Sequence, residues 1–273
     1  MSRIEALPRL STRPAWKGWA LGAASMRGWL LPLLLLAVIE SVVRIGWIPA
    51  YLMPAPSELA ITFWELSEGP LWSHILASSV RVLTGFAIGA SLALVLGSLV
   101  GLSKQLEAYL DPTFQALRAV PGLAWVPLLL IWLGIDESSK ITLIAIGSFF
   151  PVYLNVVAGV RNVDRKLVEL GMLYKLSRLT SIRRILLPAA QPYLFTGLRS
   201  GLSMAWLCVV AAELLAATEG IGYLLTDGRE VSRPDLVLAA IITLAVMGKL
   251  SDSLLKAVEN KTLSWRDSYT GDK

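Results

Sequence analysis

Few residues in this chain could carry chemistry, and most of them stand alone. His74 is the sole histidine and Cys208 the sole cysteine, so neither has partners at the spacing that a metal site or a thiolate pair requires. Cys208 lies inside the apolar run Ala205–Ala212 and reads as a buried small hydrophobe. The sequence contains no Gly-x-x-x-x-Gly-Lys-Ser/Thr phosphate cradle, so this polypeptide is not expected to hydrolyse ATP itself. Arg81 and Arg199 stand beside apolar segments. Either could tune the local field beside those segments, or could snorkel toward lipid headgroups. Thr196, Ser200 and Ser203 offer neutral donors, or bond back to their own helix carbonyls. No catalytic, cofactor or metal constellation emerges.

Charge is concentrated in one place. Between Arg161 and Gln191 stand Arg161, Arg165, Lys166, Lys175, Arg178, Arg183 and Arg184, against only Asp164 and Glu169. Within this stretch Val163–Pro188 is long enough for two short helices joined by a turn. Leucine and isoleucine recur from Leu167 to Leu186 and give it an apolar face that a solvated loop would not need. Such an elbow could dock into a groove on a peripheral subunit and pass that subunit's movement to the rest of the chain. A basic amphipathic segment resting on anionic lipid has the same pattern.

The elements that must position these residues are greasy. Hydrophobic residues make up 55% of the 273 and charged residues 16%, with a mean hydropathy of +0.62. The apolar residues come in long blocks rather than short strands, which excludes an ordinary soluble globular fold. The net charge of +5 is spread through short connections and forms no continuous nucleic-acid surface. The expected fold is an all-α polytopic membrane protein with about six transmembrane helices.

A first span is expected over Trp29–Val43, with Glu40 and Arg44 four residues apart on one face at its end. A short helix over Ser57–Ser67 should lie outside the core. Val82–Ser103 is free of charge and long enough to cross, and its pairs Gly85/Gly89 and Gly97/Gly101 allow another helix to come close. Lys104 to Arg118 reads as a polar turn, and Ala119–Ile135 as a third span, broken or bent at Pro121 and Pro127. Ile141–Val160 and Tyr193–Ala217 are the fourth and fifth spans. Arg199 and Glu213 lie too far apart along the fifth to pair with each other. An external connection with a short helix at Ile221–Asp227 leads to the last span, Leu236–Leu250, extendable through Leu255. The basic excess puts the Arg161–Gln191 connection in the cytoplasm, and with six crossings both termini join it. The domain organisation that follows is a cytoplasmic tail over 1–28, a transmembrane domain over 29–255 containing the loop 163–188, and a cytoplasmic tail over 256–273.

One motif narrows the reading. Val168-Glu169-Leu170-Gly171-Met172-Leu173-Tyr174-Lys175, followed by Ile185-Leu186-Leu187-Pro188, resembles the coupling loop of permease subunits in bacterial ATP-binding cassette importers. Glu169 matches the motif glutamate and Leu187-Pro188 its closing pair. Leu170 and Gly171 replace two alanines, and Lys175 stands where the family has glycine. Tyr51-Leu52-Met53-Pro54-Ala55-Pro56-Ser57, Arg118-Ala119-Val120-Pro121, Trp125-Val126-Pro127-Leu128, Trp132-Leu133-Gly134, Ala211-Ala212-Glu213 and Gly220-Ile221-Gly222-Tyr223-Leu224 extend the resemblance to the nitrate, sulfonate, taurine and bicarbonate group. The overall pattern resembles aliphatic sulfonate permeases most.

The resemblance implies a permease subunit in a bacterial inner membrane that moves a small anion, an aliphatic sulfonate. Its implied partners are a second permease copy, two cytoplasmic ATP-binding cassette subunits that hold the ATP and magnesium, and a periplasmic solute-binding protein. Glu169, Leu170, Gly171, Leu173, Lys175, Leu187 and Pro188 are the implied contacts to the ATPase, and nucleic acid is not a partner. On the residues alone, an ion-gradient-driven secondary transporter and a noncatalytic membrane scaffold stay open.

Overall fold

The computed structural model describes residues 17–49 and 51–263. The expected amino-terminal tail lies outside the described residues up to position 16, as does the end of the carboxy-terminal tail from position 264. The described chain is helical almost throughout, and it falls into two compact units that meet between Ala60 and Ile61.

In the first unit, α1 runs Lys17–Arg44, longer than the expected span, and keeps Pro32 within it. Leu30 through Leu36 of this helix are exposed where they are leucine, as befits contact with lipid. The Glu40–Arg44 pair forms at 2.6 Å. Glu40 also accepts the Ser57 amide at 3.0 Å and the Ser57 hydroxyl at 2.8 Å, so one carboxylate caps the next helix, α2, Pro56–Glu68.

The second unit is built on α3 (Leu71–Leu102), α6 (Glu137–Arg161) and α9 (Leu187–Ala216), with α11 (Pro234–Thr262) beside α9. Its core joins Ala90, Ala93 and Val100 of α3 to Val152, Tyr153, Val156 and Val157 of α6, with Leu194 and Leu198 of α9 packed against them. The glycine pairs of α3 face α6. A methyl group on Gly85 would stand 2.7 Å from Ile144, and one on Gly97 2.9 Å from Val156. Close backbone approach is thus the packing solution here, as expected where lipid gives helices no hydrophobic reason to associate.

The third expected span is corrected. Lys104 to Arg118 is not a turn but a helix, α4 (Lys104–Ala119), capped by Ser103, whose hydroxyl accepts the Leu106 amide. Val120 before Pro121 is extended, as that position demands. A 3₁₀ turn at Gly122–Trp125 and α5 (Val126–Leu133) follow, bent 90° from α4. Eight residues cover about 12 Å, too little to cross alone. Among the described residues four helices are long and apolar enough to span a bilayer, or five if the bent pair counts as one. Between α6 and α9 lie α7 (Arg165–Leu173), α8 (Arg178–Ser181) and a π turn at Ile182–Leu186. Between α9 and α11 lies α10 (Ile221–Glu230).

Candidate functional site: a buried charge cluster and a helical elbow

His74, Ser78 and Arg81 are spaced i, i+4, i+7 and therefore share one face of α3. All three are buried, as are Lys140 near the start of α6 and Glu213 near the end of α9, which is 1% exposed. A buried charge must be paired, and Glu213 is. Its carboxylate accepts from Arg81 Nη1 at 2.7 Å, from the Ser78 hydroxyl at 2.8 Å and from the Gly222 amide at 2.8 Å. Arg81 also forks onto Glu137, Nε to Oε2 at 2.6 Å and Nη2 to Oε1 at 2.8 Å, and donates to the Glu219 carbonyl at 2.5 Å. Lys140 completes the set at 2.8 Å from Glu137. The cluster holds two cations and two anions and so balances.

Three successive amides lead into α10, and each has a different side-chain partner. Gly220 donates to His74 Nδ1 at 3.1 Å, Ile221 to the Ser78 hydroxyl at 2.8 Å, and Gly222 to Glu213 at 2.8 Å. These are amides that a helix start leaves unsatisfied, and the carboxylate complements the helix dipole. His74 Nδ1 is an acceptor here, so its proton sits on Nε2. Gly220 has φ +127, and a methyl group there would run into the Glu213 carboxylate. A methyl group on Gly222 would stand 2.8 Å from Glu213 Cβ. The Gly220-Ile221-Gly222 motif is the wrapping around a buried glutamate. The sequence singles out Arg81 and shows Glu213, but does not pair the two. The signal for Glu213 was an acid in an otherwise uncharged run, and for α3 the 74/78/81 spacing.

Arg199 forks onto Asp252 of α11 at 2.8 and 3.1 Å and reaches Glu259 at 3.5 Å. Ser203 bonds back to the Arg199 carbonyl, and Thr196 to that of Pro192.

The elbow lies at the other end of α6 and α9. Asp164 caps α7 by accepting the Lys166 amide at 2.9 Å. The helix stops in a Schellman motif, with the Lys175 amide on the Met172 carbonyl and the Leu176 amide on that of Gly171. Lys175 supplies the left-handed residue, φ +50. Lysine therefore adopts the conformation for which glycine is usual, and the turn is made all the same. Ser177 caps α8 through the Thr180 amide. Gly171 lets α7 close on the following turn, for a methyl there would lie 2.8 Å from Ile185 Cδ1. Pro188 brings no amide to the ladder, and the Leu187 amide bonds to the Ile182 carbonyl as a π turn. Leu170, Met172, Leu173, Tyr174 and Leu187 are left exposed, Leu173 by 78%. Glu169 is exposed and paired with Arg165 at 3.1 Å.

Long apolar helices bare to their surroundings, with their charges paired near the helix ends, define a multi-pass membrane protein. Residues 71–264 match the family model described as the binding-protein-dependent transport system inner membrane component, and the chain belongs to that family. It is a multi-pass inner-membrane permease subunit of an ATP-binding cassette importer, a role in which ATP hydrolysis falls to other subunits. A Bacillus subtilis (strain 168) relative with the provisional name aliphatic sulfonates transport permease protein SsuC is 44% identical over 90% of both chains. A namesake from Escherichia coli (strain K12) is 42% identical over 93% of this chain and 95% of its own. A solved structure of the MetNI methionine ABC transporter in an inward-facing conformation shares the fold. Its TM-score is 0.63 at 14% identity, over 70% of this chain and 95% of that one.

Proposed function

We propose that this chain forms half of the passage of an importer for a small organic anion, an aliphatic sulfonate. It works as a pair of copies with two ATP-binding cassette subunits beneath and a periplasmic binding protein above. In this reading α1 and the bent α4–α5 unit complete six spans. Positions 29–255 form the transmembrane domain, and the tails 1–28 and 256–273 lie in the cytoplasm with the elbow. The elbow carries the argument: Leu170, Met172, Leu173 and Tyr174 are bare on a connection between the two helices that pack most extensively in the unit. Apolar side chains held outward on a capped, rigid turn favour a protein groove over lipid headgroups.

Closure of the ATPase pair on ATP pushes this elbow, and α6 and α9 transmit the push to the passage. The ligand only biases the two states it binds unequally. Glu169, Leu170, Gly171, Leu173, Lys175, Leu187 and Pro188 make or shape the contact. Arg81 and Arg199 set the field along the helices only together with the carboxylates that share their charge. The sulfonate assignment rests on the names of the relatives.

The test is the intact assembly in proteoliposomes, with its ATPase rate measured against sulfonates, taurine, nitrate and bicarbonate. A sulfonate should stimulate it most. Stimulation by cations alone, or uptake by this chain without the ATPase and the binding protein, would overturn the reading.

A further inference from the structure

The two cations singled out in the sequence are both neutralised, Arg81 by Glu137 and Glu213, Arg199 by Asp252 and Glu259. Arg118 is not. It is exposed, and among the described residues no carboxylate pairs with it. It stands in the last turn of α4, just before the chain turns by 90°.

Arg118 lines a groove of about 550 Å³, together with Trp125, Phe150, Pro151, Met204 and Leu207, and is the only charged residue among those lining it. That volume suits a small organic ligand. The groove lies along the middle of α6, from Leu143 to Leu154. Phe150 lies 13 residues after Glu137 and 11 before Arg161, so about 20 Å of α6 separates it from one end and about 16 Å from the other. A cation without a counter-ion beside the middle of a spanning helix is uncommon, and such residues mark ion and substrate paths.

We propose that Arg118 is the anion-selecting residue of the passage, in an inference that rests on the importer reading above. A sulfonate head has oxygens for the guanidinium fork. The groove wall of aromatic rings, methionine and leucine takes the aliphatic tail. One guanidinium in a mostly apolar wall also suits transport, because the ion must leave as readily as it enters. A cation at a helix carbonyl end is favourable on its own account, so the experiment must read selection and not only integrity.

The experiment uses the assembled importer in proteoliposomes, with assembly checked by co-purification of the ATPase subunits. Arg118→Gln should lower sulfonate-stimulated ATP hydrolysis and uptake about tenfold or more, the scale of one charge-assisted hydrogen bond. Arg118→Lys should fall between, since it keeps the charge and loses the fork. In a Cys208→Ala background, the thiol of Arg118→Cys should react with a small anionic methanethiosulfonate, and transported sulfonate should slow that reaction. If the parent assembly responds to no anion, the importer reading fails and this inference with it. If the parent responds and Arg118→Gln stays within twofold of it, this inference alone is overturned. It is equally overturned if the thiol reacts in the isolated permease but not in the assembly, because the groove is then an interface between copies.

Discussion

Glu213 shows how a single side chain can dictate the backbone around it. Its carboxylate is enclosed by Ser78, Arg81 and the amide of Gly222, and Gly220 passes so close that no side chain fits. Gly220→Ala should therefore cost about 2 kcal/mol or more, from a strained positive φ and the collision with the carboxylate. Thermal unfolding in detergent should show a clear drop in midpoint, and an unchanged midpoint would refute this account of the motif. The sequence displayed Arg81 and Glu213 as isolated charges. It placed Glu213 against Arg199, 14 positions away and out of reach, whereas its true partner is 132 positions away. Side-chain spacing along one helix says nothing about a neighbour that only the tertiary fold supplies.

At the scale of elements, hydropathy located the long spans because lipid selects on length and apolarity, and both are visible in the sequence. It failed at α4, where Lys104, Glu107, Asp111 and Arg118 were weighed as a polar connection. Those positions follow helical spacing, and Leu110 and Phe114 turn the other face onto the core. A count of charges missed a periodicity of 3.6. The two-helix elbow and its turn are legible from the leucine stripe, but the left-handed geometry at Lys175 is not, because lysine departs from the residue that this position favours. The Schellman bonds form regardless, so the cost is borne locally. Lys175→Gly should remove about 1 kcal/mol of strain. Hydrogen exchange at the Leu176 amide, which closes the motif, should slow severalfold in the variant. Equal or faster exchange would mean that the lysine is held there by contacts that offset its strain.

For the whole molecule, stability and the proposed coupling fall in different places, and that separation can be tested. The α3, α6 and α9 contacts are buried and glycine-tight, while Leu173 on the elbow is 78% exposed and touches little of its own chain. Surface substitutions of that kind usually change stability by about 0.5 kcal/mol or less. Leu173→Asp should therefore leave the unfolding midpoint of the isolated permease within about 2 °C. In the assembly it puts a charge into an apolar contact, where a buried unpaired carboxylate is costly. ATPase subunits should co-purify poorly, and solute-stimulated uptake should fall about tenfold or more, the scale expected of a lost interface anchor. A parallel loss of midpoint would mean that Leu173 belongs to the fold. Full uptake with an unchanged midpoint would mean that the elbow does not carry the push, and the coupling role assigned to α7 would then have to be abandoned.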